Sequence, residues 1–216
     1  MSSRRVSSGH RQLSARRHNA VARAVRPAAA YRQRGANNQQ ASSGFTAPEV
    51  WHEPGEAGEI RYVVEPHGNH YRHAVTVEEI RDRLRELPSQ FVEPIEVIQL
   101  SRMTRKRKLF PCYGMQWGPN VYLYPIEESL VETYYRPPKP EQLIEAKMYG
   151  GVWSQANGFY LLTWTEQSIK DFYLNNVLIH EIGHVIDLRN TNAEKREQFA
   201  IWFATEYGFR ASRGLR

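Results

Sequence analysis

The stretch Val177-Leu178-Ile179-His180-Glu181-Ile182-Gly183-His184-Val185-Ile186-Asp187 decides how this chain is read. It contains His-Glu-Ile-Gly-His, which fits the pattern H-E-x-x-H. On an α-helix, residues four apart share one face, one turn apart. His180 and His184 therefore present two imidazoles to one point, and neutral imidazole is a good ligand for Zn²⁺. Glu181 is rotated by one residue from His180, so its carboxylate is set to reach a water on the metal and take its proton.

The flanks support a buried helix. Val177, Leu178, Ile179, Ile182, Val185 and Ile186 make it apolar on most sides. Two histidines and a glutamate on such a helix need partners, because unpaired buried polar groups are costly. Gly183 is a poor helix former, disfavoured by about 1 kcal/mol against Ala. Its small size permits close approach by a neighbouring strand or a substrate.

Downstream, the third ligand is sought on the next helix. A catalytic zinc keeps three protein ligands and one open position. Two helices joined by a tight connection fold back antiparallel, so the second passes the metal. Asn192 caps that helix, which is expected from Ala193 to about Tyr207 with Gly208 as terminator. On it, Glu197 shares a face with Ala200, Ile201 and Ala204, and two alanines allow the helices to approach closely. Glu197 is thus preferred as third ligand, with Glu194 on a more polar section as the alternative. Asp187 either orients a ligand histidine or makes a helix-end contact. The longer pattern H-E-x-x-H-x-x-G-x-x-H (or Asp) fails twice here. Asp187 stands at its glycine and Asn190 at its final ligand.

Upstream, the pattern predicts strands with one amphipathic helix. Ile60 to Val64 reads as a strand. His67, His70 and His73 fall in a turn region and read as loop histidines, with ligation or substrate contact by His70 or His73 as the alternative. Thr76-Val77-Glu78-Glu79 is a capping box that opens a helix ending near Pro88. Ile95 to Leu100, Leu109 to Trp117 and Val121 to Tyr124 read as strands, and Thr104 to Lys108 as a basic, solvated hairpin turn, with an acid-binding role as the alternative. Ile126 to Tyr134 fits either a short helix or an extended stretch, and Glu141 to Lys147 a brief helix. Met148 to Ser154 and Phe159 to Trp164 form a hairpin around Asn157-Gly158. Thr165 then caps the metal helix, with Ser168 as competitor, and that helix runs to about Leu188.

Charge divides the chain. Nine of its 29 basic residues are arginines in the first fifty positions, where Glu49 is the one acid. The rest is close to neutral, so the net charge of +6 belongs to the tail. Residues 1–48 lack the apolar content to offset their ordering entropy and are expected to be disordered. Spaced arginines there suit a salt-sensitive polyanion contact, and an organelle transit peptide has a similar composition. The single cysteine, Cys112, excludes an internal disulfide and a cysteine zinc cluster. No apolar run approaches the ~20 residues that span a bilayer, and no secretory signal is seen, so the expected location is cytoplasmic.

With His180-Glu181-Ile182-Gly183-His184-Val185-Ile186-Asp187 and Glu197-Gln198-Phe199-Ala200 in view, the sequence resembles the zincin metallopeptidases. The likeness is to the compact glutamate-zincin type, which includes the lethal-factor-like peptidases. There the glutamate before Phe-Ala is the third ligand, which implies Glu197. The specific part of the resemblance covers about residues 159–208. It implies an α+β domain over residues 59–209: a small twisted, mostly antiparallel sheet, a backing helix, the metal helix beneath the sheet, and a C-terminal glutamate helix. An edge strand would line the cleft and pair with an extended peptide, with Met148–Ser154 or Phe159–Trp164 as candidates. A donor to the developing oxyanion is also implied, with Tyr207, Tyr160 and His73 as possibilities.

Two functions compete at this point. In one, Zn²⁺ on His180, His184 and Glu197, with Glu181 as general base, hydrolyses a peptide or protein substrate. In the other, the zinc is structural, and the arginine-rich tail binds nucleic acid or another polyanion.

Overall fold

The computed structural model describes residues 47–52, 59–109 and 111–215. The disordered tail expected over residues 1–48 lies outside these up to position 46.

The first half alternates short strands and helices. Strands β1 (Arg61–Val64) and β2 (Tyr71–Arg72) precede helices α1 (Val77–Arg85) and α2 (Ser89–Val92). Strand β3 (Val97–Leu100), helix α3 (Arg105–Leu109) and strands β4 (Gly114–Trp117), β5 (Asn120–Leu123), β6 (Ile126–Glu127) and β7 (Val131–Tyr134) follow. Helix α4 (Pro140–Met148) then leads to the hairpin of β8 (Val152–Ala156) and β9 (Phe159–Thr163). The second half ends in helices α5 (Glu166–Phe172), α6 (Leu178–Ile186) and α7 (Ala193–Phe203).

Local chemistry accounts for the ends of these elements. The α1 capping box forms as read: Thr76 Oγ1 accepts from the Glu79 amide at 3.2 Å, and Glu79 returns the bond to the Thr76 amide at 2.8 Å. Asn157 and Gly158 both take positive φ, +52° and +78°, as a tight hairpin turn between β8 and β9 requires. Ile126 to Tyr134 is extended, split into β6 and β7 by a turn in which Leu130 takes a φ of +56°.

The fold is α+β, and among the described residues the strands form three small sheets. The largest has the order β1-β3-β5-β4, with β1, β3 and β5 parallel and β4 antiparallel to β5. The others are β2-β6 and β7-β9-β8, both antiparallel. Among the described residues four of the six pairings are therefore antiparallel, while the sheet beside α6 is mixed.

Alternation along β5 gives that sheet two different faces. Val121 and Leu123 join Ile80, Ile169, Leu178, Ile179 and Ile182 in the main core beneath α6. Tyr122 and Tyr124 point the other way, to a smaller cluster with Cys112 and Met115. Residues 47–52 lie against that outer face. His52 is 2.6 Å from the Gln99 side chain and its ring stacks on Tyr122, while Trp51 meets Trp117 edge to face.

The expected solvated turn at Thr104 to Lys108 is instead mostly helix α3, and Arg107 is 0% exposed. Its guanidinium makes a 3.0 Å ion pair with Glu49 and lies 4.3 Å over the Tyr124 ring. The basic run concealed this because the neutralising acid is far away in sequence.

Candidate metal centre

A single helical run from Glu166 to Ile186 carries the motif. It begins as a capping box in which Thr165 is the N-cap and Ser168 its reciprocal partner. The run is α-helical in α5, π-helical over Tyr173–Val177, and α-helical again in α6. A π-turn adds a residue to the ladder and rotates everything after it. It thereby sets which face of α6 meets the sheet and which meets α7. Leu178 to Val185 are all buried, with the two histidines and Glu181 among them.

Helix α7 crosses α6 at Gly183. A Cβ built there would stand 3.0 Å from the Ala200 Cα and 3.3 Å from the Phe203 Cβ. The small residue thus admits a helix, rather than the strand or substrate expected. Beyond Phe203 the chain does not stop at Gly208 but continues as a π-helical stretch, Ala204–Arg210. Gly208 is where that stretch crosses the first π-turn: a Cβ there would lie 1.8 Å from the Asn175 carbonyl oxygen.

This crossing brings three side chains together. His180 Nε2 is 3.6 Å from one Glu197 carboxylate oxygen and His184 Nε2 is 3.5 Å from the other. The two rings are 4.8 Å apart and nearly perpendicular, at 80°. Ligand atoms of all three lie within 4.8 Å of one another. The two imidazole–carboxylate separations are too long for hydrogen bonds. They match the edge of a tetrahedron around a metal, about 3.4 Å for bonds of about 2.1 Å to nitrogen and oxygen. On this geometry the three side chains could hold a metal ion. Burial, reinforced by the neighbouring His184, lowers the His180 pKa to about 4 despite the opposing charge of Glu197. His180 is therefore neutral at ordinary pH, the form that ligates.

Glu181, next to His180, lies against β4. A Cβ at Gly114 would stand 2.8 Å from its Oε1, and the Gln116 backbone donates to its carboxylate. Burial, then the charge of Glu197, pushes its pKa up to about 8. A divalent cation at the three ligand atoms opposes both effects, because positive charge favours the carboxylate. Strand β4 is an edge of the four-stranded sheet, and it packs on α6 together with β5. The edge beside the site is thus β4. The expected candidates became β8 and β9 of the three-stranded sheet, where β9 is the central strand.

The remaining positions are placed as follows. Glu194 is exposed, its carboxylate 3.5 Å from the Gln198 amide and outside the three-residue group. Asp187 closes the end of α6, accepting from the Arg189 and Asn190 backbone and from the Asn190 side chain. His73 Nε2 is 2.8 Å from the Glu65 carbonyl oxygen, and His70 is exposed with a φ of +68°. Tyr207 packs among Phe91, Trp202 and Phe203, and Tyr160 sits on β9 opposite Tyr134. Gly114, Gln116 and Arg196 were not singled out in the sequence. The one signal for Arg196 is its place beside Glu197, and nothing local marks the two β4 residues.

Comparison with protein families, with characterised proteins and with solved structures finds no match to this chain. Among the described residues, no helix is long and apolar enough to cross a membrane.

Proposed function

We propose that this chain is a zinc-dependent peptidase in which His180, His184 and Glu197 are the metal ligands and Glu181 is the general base. The observation that carries the reading is the convergence of two imidazoles and a carboxylate from α6 and α7, with a second buried carboxylate beside them. A purely structural site has no use for that second carboxylate, whose burial is unfavourable unless it has a task.

The roles of the chain's own groups follow from position. Zn²⁺, when bound, supplies the Lewis acid that makes water nucleophilic at neutral pH. Glu181 accepts a proton at a carboxylate oxygen and returns it to the departing amine nitrogen. Gly114 leaves room for that carboxylate, and the Gln116 backbone orients it. The open edge of β4 offers main-chain hydrogen bonds to an extended peptide, which makes a peptide the fitting substrate class.

The test is metal analysis of the purified protein together with a peptide-library cleavage assay on wild type and Glu181→Gln. Stoichiometric zinc in both proteins, with cleavage by wild type alone, is the expected outcome. Equal turnover by the two removes Glu181 from the mechanism.

A further inference from the structure

Helix α7 carries, immediately before Glu197, an arginine that is 5% exposed. Arg196 Nη1 donates to the Asp187 carbonyl at 2.7 Å, and Nη2 donates to the His184 carbonyl at 2.8 Å. The last carbonyls of a helix have no partner within it. Arg196 satisfies the carbonyl of a proposed ligand residue and that of the C-cap with one rigid fork. A cation there also suits the negative end of the helix dipole. Asp187 already closes the turn through its side chain, so the arginine adds a link between helices rather than a second local cap.

We propose that Arg196 is the positioning residue that sets Glu197 against the two histidines; this rests on the metal-centre reading above. Glu197 is bracketed along α7. On one side Arg196 ties the helix to the His184 backbone, and on the other Ala200 meets Gly183. Between these two fixed points the glutamate has little freedom to move away from the imidazoles.

The histidine side shows why such a link matters. A metal-bound histidine is usually oriented by a hydrogen bond from its other ring nitrogen. Among the described residues the buried Nδ1 of His184 makes no hydrogen bond. Arg196 grips the backbone of the same residue and ties it to the neighbour of Glu197. An ammonium in place of the guanidinium keeps the charge but cannot reproduce the planar, two-carbonyl fork.

The test uses Co²⁺ as probe on the full chain. Wild type, R196K, R196M, E197A and the double variant R196M/E197A are titrated, with visible absorption and metal-free thermal unfolding recorded for each. R196M is expected to weaken Co²⁺ binding by about 10- to 100-fold, the range for a residue that supports a ligand from behind. R196K is expected to fall between wild type and R196M, and the cobalt spectra of both are expected to change. In the E197A background, replacing Arg196 is expected to have no further effect on affinity, because the residue it positions is gone. Wild-type affinity and spectrum in R196K and R196M overturn the proposal, even if metal-free stability falls, and leave Arg196 as a helix cap. R196K decides the matter in the same way if R196M does not fold. Failure of wild type to bind Co²⁺ overturns the metal centre and this inference with it, whereas wild-type binding with unaffected variants overturns the inference alone.

Discussion

The four-stranded sheet separates two buried polar clusters that are built on opposite principles. On its outer face, Arg107 pairs with Glu49 at 3.0 Å, and the Tyr124 hydroxyl donates to the same carboxylate at 3.0 Å. The charges there cancel. On its inner face, Glu181 and Glu197 lie close enough that the charge of Glu197 helps raise the Glu181 pKa. Like charges gathered in a buried site are unfavourable unless a cation joins them. The first arrangement is complete in itself and serves the fold. The second makes sense as a site for something the chain does not supply.

That contrast can be broken in four ways. The largest effect falls on the outer cluster. Replacing Arg107 by Met removes the guanidinium that makes the 3.0 Å ion pair with the Glu49 carboxylate. The expected loss is about 3–5 kcal/mol of unfolding free energy by denaturant titration, with metal affinity unchanged. A parallel loss of metal binding in the folded variant would show that the clusters are coupled. Next comes Glu181→Gln, expected to retain zinc and lose at least ~100-fold in peptide turnover, about 2.7 kcal/mol.

A third change sharpens the comparison at the sheet itself. Gly114→Ala puts a methyl group 2.8 Å from Glu181 Oε1 and 2.8 Å from Val177 Cγ1. Turnover is expected to fall about 10-fold by displacement of the Glu181 carboxylate, near 1.4 kcal/mol, with metal content preserved. Full activity would mean that the contact of β4 with Glu181 has no part in turnover. The smallest effect is a pH dependence. Burial alone would raise the Glu49 pKa, but the Arg107 charge and hydrogen bonds from Tyr124 and Arg107 hold it below its ordinary value. Its contribution is present above the ordinary carboxylate range and lost as pH falls through the depressed value. The melting-temperature gap between wild type and Glu49→Gln should therefore close in acid. A gap that persists at low pH would rule out the ionised pair as its source.

The two clusters also differ in how far the sequence reveals them. The inner one is local. His180, Glu181 and His184 fall within five residues, and Glu197 lies one short turn and one helix later, so helical periodicity and the pair Ala200 and Ala204 suffice to bring them together. The outer one joins Glu49 to Arg107 across the sheet, and composition made each look solvated. The same limit hid the strand beside Glu181. Periodicity identifies β4, β8 and β9 as extended, but which of them meets α6 depends on parallel pairing of β1, β3 and β5, a non-local choice. The π-turn at Tyr173–Val177 and the crossing of Gly208 over Asn175 were equally silent. A glycine after a helical run reads as a terminator, and only the approach of the second helix shows it to be a contact.

The most direct measurement is the metal stoichiometry of the purified full chain and of His184→Ala and Glu197→Ala, taken after dialysis against a weak chelator. One equivalent of zinc in wild type, lost from the histidine variant and weakened in the glutamate variant while both remain folded, is the predicted result. A wild-type chain without metal, or one whose zinc survives both substitutions, contradicts it.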